Sequence, residues 1–83
     1  MTITGETIRK IRRVHGLTHR KMAEKLGVHL RLVQFMESGE RAVSRKTERA
    51  VIEAFGLTPE KLVRIEAVWA EFHAGGSEHG KTD

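Results

Sequence analysis

Apolar residues recur at helical spacing along most of the chain, and no stretch shows the strict alternation of a half-buried strand. The first segment opens at Thr4, an N-cap residue, with Ile3 just before it and Ile8 four positions after it. That pair forms a hydrophobic staple. Ile8, Ile11 and Val14 continue one stripe, which His15-Gly16 closes. Thr18 caps a second, short helix through Met22, Ala23 and Leu26, which Gly27 stops in the left-handed conformation that glycine tolerates. A third helix runs from about Leu30 to Ser38 and ends at Gly39, with His29 a poor cap. Ser44 caps a fourth, through Val51, Ile52 and Phe55 to Gly56. Thr58-Pro59 opens a fifth that reaches about His73, proline taking the first helical position where its missing N–H costs nothing. The polar remainder, residues 74–83, reads as a disordered tail. A folded unit over 1–73 and a tail over 74–83 follow.

Five short helices with connections of two to six residues predict an all-α fold, a compact five-helix bundle. At 83 residues the chain supports one domain with one modest core. It has no cysteine, which excludes a disulfide framework, a thiolate nucleophile and a Cys-based zinc site. The longest apolar runs are a few residues, and no signal-peptide-like segment follows Met1. A cytoplasmic protein that does not enter the membrane is expected.

Charge adds a direction. Residues 1–50 carry twelve Lys/Arg against five acids, whereas residues 51–83 carry three against six. The basic part therefore suits a polyanion, and the mildly acidic part suits something else.

The most informative stretch is Leu17 to Arg41, a capped helix, a glycine turn and a second helix ending in Met36-Glu37-Ser38-Gly39. Ala23 and Gly27 are expected to let the two helices cross closely, with Val33 and Met36 as the inner face of the second. This is the spacing of a helix-turn-helix, whose second helix enters the DNA major groove.

The wider set of residues sharpens that reading. Ile8-x-x-Ile11-Arg12, Gly16-Leu17-Thr18, Met22-Ala23, Leu26-Gly27-Val28, Val33 and Glu37-Ser38-Gly39-Glu40 closely resemble the Cro/CI-type (XRE) helix-turn-helix family, of which the phage repressors are the best-known members. Gly56-Leu57-Thr58-Pro59 and Leu62 look like the family's junction between fourth and fifth helices. The resemblance covers roughly residues 4–66 and implies a bundle of the lambda-repressor-like DNA-binding type.

Carried over residue by residue, Arg12 and Glu37 match the family's buried ion pair. With Val33 and Met36 inward, Leu30, Arg31, Gln34 and Phe35 occupy the opposite face, at positions resembling the family's base-reading residues. Arg31 suits guanine O6 and N7, Gln34 suits adenine N6 and N7, and the apolar pair suits thymine methyls. The family more often has polar residues where this chain has Leu30, Leu32 and Phe35. That departure leaves Phe35 open between base contact and protein contact, with Leu32 assigned to the core. Thr18, His19, Arg20, Ser38, Arg41, Arg45 and Lys46 are the candidate phosphate contacts, His19 standing where the family commonly has glutamine. Arg9, Lys10 and Arg13 read as an outer solvated face.

On the last helix Leu62, Ile65, Trp69 and Phe72 follow spacings of three, four and three. Leu62 and Ile65 are expected to close the core. Trp69 and Phe72 lie further out, where the favoured cover is the same helix of a second subunit, making a two-fold dimer on a palindromic site. A different protein partner on the same patch is the competing idea. The five histidines show no pairing on one helix face, so no metal or other cofactor is expected. No catalytic constellation is present either, and an enzyme is not expected. The expected function is that of a dimeric, sequence-specific double-stranded DNA-binding transcriptional repressor. The rival is a protein-interaction module on the same scaffold, such as an antitoxin-like protein or an antagonist.

Overall fold

In a computed structural model, described for residues 1–80 and for side chains over residues 1–73, each helix begins where the chain offers a suitable start. The elements are α1 (Gly5–Val14), α2 (His19–Leu26), α3 (Leu30–Ser38), α4 (Arg45–Phe55) and α5 (Pro59–Gly80). Four have hydroxyl caps. Thr4 Oγ accepts from Thr7 N at 3.2 Å, Thr18 from Lys21 N at 3.0 Å, Ser44 from Thr47 N at 3.1 Å and Thr58 from Lys61 N at 3.1 Å. Such a cap contributes about 1 kcal/mol, because it satisfies a first-turn N–H that the helix cannot. At the start of α3, His29 makes no side-chain cap. No strand occurs among the described residues, so the fold is the all-α, five-helix bundle expected.

The amphipathic stripes close on one core. Ile3, Ile8, Ile11, Met22, Ala23, Leu26, Val33, Met36, Val51, Phe55, Leu57 and Ile65 are buried together. Burying an Ile, Leu or Phe side chain contributes about 1.5–3 kcal/mol each, which is why the stripes rather than helix propensity hold the bundle. Helix α2 packs on α3 and α4, and α1 packs on α3 and α5. Phe55 sits beneath the His15 ring at 4.9 Å and the Lys25 ammonium at 5.4 Å, joining the ends of α1, α2 and α4.

Two glycines matter for different reasons. Gly27 ends α2 at φ +71°, and Val28 N donates to Ala23 O at 3.1 Å to close the turn. A Cβ on Gly27 would meet nothing within 4 Å, so its role is backbone conformation rather than the close crossing expected from the sequence. The glycine that permits close approach is Gly5. A Cβ there would lie 1.7 Å from Met36 O, because the start of α1 abuts the backbone of α3.

Helix α5 leaves the bundle after closing it. Leu62 is half-buried and Ile65 buried, while Lys61 Nζ donates to the Phe55 carbonyl at the end of α4. Lys10 Nζ pairs with Glu66 at 2.9 Å. The helix runs to Gly80, past the boundary expected near His73. The tail expected over 74–83 falls on residues whose side chains, and for 81–83 also the backbone, lie outside those described. Among the described residues no helix is long and apolar enough to cross a membrane.

Candidate nucleic-acid interface

Helix α3 is held from behind by charge as well as by apolar packing. Val33, Met36 and Glu37 form its buried side. Arg12 Nε donates to Glu37 Oε2 at 2.8 Å and Nη2 donates to Oε1 at 3.0 Å, with the Arg12 side chain 10% exposed and that of Glu37 4%. Arg12 Nη1 also donates to Leu17 O at 3.0 Å, tying the turn before α2 to the same guanidinium. Planar, bidentate pairing of this kind fixes orientation as well as energy, so α1, α2 and α3 are locked in register. No buried side-chain polar atom among the described residues lacks a hydrogen-bond partner.

Two residues that the sequence reading treated otherwise join this cluster. Arg9, read as solvated, places Nη2 3.4 Å from Glu37 O and Nε 3.8 Å from Oε1. His19, read as a phosphate contact, has Nε2 3.3 Å from Glu37 Oε1 while its side chain stays 38% exposed. Neither neighbour was visible in sequence, because Arg9, His19 and Glu37 meet only after three helices pack.

The outer side of α3 is divided by the helical wheel. Arg31 and Gln34 are exposed, and Phe35 is half-buried. Gln34 and Ser38 line a polar depression with Arg9, Arg12, Arg13, His19 and Glu37. Arg31 and Phe35 instead line a second depression with His29, Leu30, Leu32 and Arg41. The four residues expected to read bases therefore fall into two groups. Leu30, expected to face fully outward, and Leu32, assigned to the core, are both half-buried against the core edge. Each lies toward the flank of α3, since 100° per residue carries them away from the outward direction of Arg31.

The remaining candidates surround α3. Arg20 is exposed in the first turn of α2, Arg41 follows α3, and Arg45 and Lys46 open α4. Thr18 Oγ serves as a cap acceptor, which leaves its O–H free to donate. Ser38 Oγ donates to Phe35 O at 3.1 Å, so its hydroxyl must turn to reach a phosphate.

The charge order within the helices is unusual for stability. Helix N-termini favour acids, and α1 and α5 obey with Glu6 and Glu60 in their first turns. The first turns of α2 and α3 have no acid. They begin His19-Arg20-Lys21 and Leu30-Arg31, and α4 begins Arg45-Lys46 before its Glu48. Cations there oppose the helix dipole by about 0.3–1 kcal/mol each. An anion bound at those helix ends offsets that cost, and helix N-termini are themselves anion sites.

The chain matches the helix-turn-helix family over residues 8–62, which takes in α2, the Gly27 turn and α3. It belongs to the XRE-type helix-turn-helix family of DNA-binding regulators. A relative from Cereibacter sphaeroides, a propionyl-CoA carboxylase regulator, is 36% identical over 63 residues. That match covers 76% of this chain but only 14% of the relative. No solved structure matches the chain.

In helix-turn-helix terms α3 is the recognition helix and α2 the positioning helix. The match reaches to residue 62, so Trp69 and Phe72 lie outside it. Trp69 is half-buried, with its ring 3.7 Å from that of His73, and Phe72 is 71% exposed. The structure does not bring these two to the α3 surface. No group of three or more potential metal ligands occurs among the described residues.

Proposed function

We propose that this chain binds double-stranded DNA sequence-specifically and represses transcription as a homodimer on a palindromic operator. It acts in the bacterial cytoplasm by occupying a promoter rather than by catalysis. The observation that carries the reading is the set of cations at the start of α2, α3 and α4, with no acid in the first turn of α2 or α3, around one recognition helix held by a buried ion pair. Cations placed against three helix dipoles lower stability, and a polyanion at those helix ends reverses the sign.

In this reading Arg31 forks onto a guanine and Gln34 pairs with an adenine. Thr18, His19, Arg20, Arg41, Arg45 and Lys46 hold phosphates on the flanks, joined by Arg13 and, after its hydroxyl turns, Ser38. Arg9 contributes to the same polar depression while steadying Glu37. The five Lys/Arg among these contacts, Arg13, Arg20, Arg41, Arg45 and Lys46, give log K a salt slope of about −9 for a dimer.

The dimer contact assigned to α5 rests on its exposed apolar surface. Phe72, on the Leu62–Ile65–Trp69 side of the helix, is 71% exposed, an unfavourable arrangement for a helix that stays uncovered. A two-fold axis near Trp69 and Phe72 would set two recognition helices about 34 Å apart, one turn of DNA.

Competition binding tests the function. A duplex selected from random DNA should outcompete scrambled duplex, and Arg31→Ala should reduce that preference by about 1–3 kcal/mol. Equal affinity for selected and scrambled DNA would reject sequence-specific recognition.

A further inference from the structure

The two depressions on α3 differ in chemistry, and the apolar one has no hydrogen-bonding floor. Its floor is Leu30, Leu32 and Phe35, and its rim is His29, Arg31 and Arg41. None of these lining residues is acidic. The floor is also fixed. Leu30 and Leu32 are packed against the core edge, and Phe35 is half-buried. The Phe35 carbonyl accepts from Glu40 N at 2.9 Å, Arg41 N at 3.1 Å and Ser38 Oγ at 3.1 Å. Those three bonds hold the rim residue Arg41 beside the ring instead of letting the turn swing away.

An occupant must therefore present an apolar group while carrying negative charge around it. Within a DNA major groove the base edges are donors and acceptors, with one apolar exception, the C5-methyl of a pyrimidine. The phosphates beside it supply the charge that Arg41 needs, and a neighbouring guanine suits Arg31. We propose that the Leu30–Leu32–Phe35 floor reads the C5-methyl group of one pyrimidine in each half-site, while Arg31 reads an adjacent base. This rests on the DNA-binding reading above and names the chemistry of its specificity. Thymine and 5-methylcytosine present the same methyl in the same place, so either can be the source.

The test alters the DNA rather than the protein, so folding is not at issue. Sites are first selected from an unmodified random pool and from a pool methylated at cytosine C5. In each selected duplex, every thymine is then replaced singly by uracil, and every 5-methylcytosine by cytosine, removing one methyl and no hydrogen bond. Burial of one methyl predicts about fourfold weaker binding for one substituted half-site, and about fifteenfold when both are substituted. Sensitivity confined to uracil assigns thymine, and sensitivity confined to cytosine assigns 5-methylcytosine. Phe35→Ala should erase the difference between methylated and unmethylated duplexes, and Phe35→Leu should keep part of it. A selected duplex that tolerates loss of every methyl without change overturns this proposal and leaves the DNA reading standing. Failure to select any duplex over random DNA overturns both, and then the floor is free to take an acidic, apolar segment of another protein.

Discussion

Replacing Glu37 by alanine should destabilise the fold as much as truncating a core side chain. The carboxylate accepts two charge-assisted bonds from Arg12, at 2.8 and 3.0 Å, in a site where the two side chains are 4% and 10% exposed. Its removal strands a guanidinium that retains only the Leu17 carbonyl as a close partner, at 3.0 Å. Breaking one side of such a pair costs about 3–5 kcal/mol, since the remaining charge stays buried. Native stability for a chain of 83 residues is about 4–12 kcal/mol at 0.05–0.15 per residue, so Glu37→Ala removes about a quarter of it or more. The melting temperature should fall by about 12–40 °C. Arg9 provides the internal comparison, because it is 46% exposed and its Nε lies 3.8 Å from the carboxylate. Arg9→Ala should therefore cost less than about 1 kcal/mol. An apolar replacement of both partners, Arg12→Met with Glu37→Leu, should recover most of the loss, because neither charge is then left alone. Urea unfolding followed by circular dichroism measures these variants, together with Arg12→Ala and the Arg12→Ala, Glu37→Ala double variant. The reasoning fails if Glu37→Ala stays within about 1 kcal/mol of wild type. It fails equally if the effects of Arg12→Ala and Glu37→Ala simply add in the double variant.

Three further perturbations probe other parts of the account. Gly5→Ala should destabilise by about 1–3 kcal/mol or more, because its methyl would drive the start of α1 off the Met36 backbone; an unchanged denaturation midpoint would remove that close approach from the argument. Lys46→Glu should stabilise the fold by about 0.3–1 kcal/mol while weakening DNA binding and flattening the dimer's salt slope by about two units, one contact being lost from each protomer, a trade visible by running melts and titrations side by side. Trp69→Ala should shift sedimentation equilibrium toward monomer at tens of micromolar protein; a wild-type chain already monomeric there, or a variant that remains dimeric, would move the subunit contact away from α5.

The legible parts of this molecule are those governed by local rules. Thr4, Thr18, Ser44 and Thr58 are hydroxyl residues ahead of apolar periods, and each caps the helix that follows. The stop at Gly27 and the poor cap at His29 follow from backbone and side-chain chemistry that a single sequence carries. What was not legible depends on packing. Nothing around Gly5 signals that another helix's carbonyl will occupy the space of its Cβ. Arg9 looks like any solvated arginine on the face of α1, and reaches Glu37 only because α3 ends beside it. The division of α3 into a Gln34 side and a Phe35 side likewise needs the neighbouring helices, since spacing alone groups both with Arg31.

The most direct test of the central claim is the affinity of the wild-type chain for a selected palindromic duplex and its scrambled counterpart across a salt series, read by fluorescence anisotropy. The account predicts tighter binding to the selected duplex at every salt concentration, with log K falling against log salt at a slope of about −9 for the dimer. A slope near zero, or two superimposable curves, would contradict it.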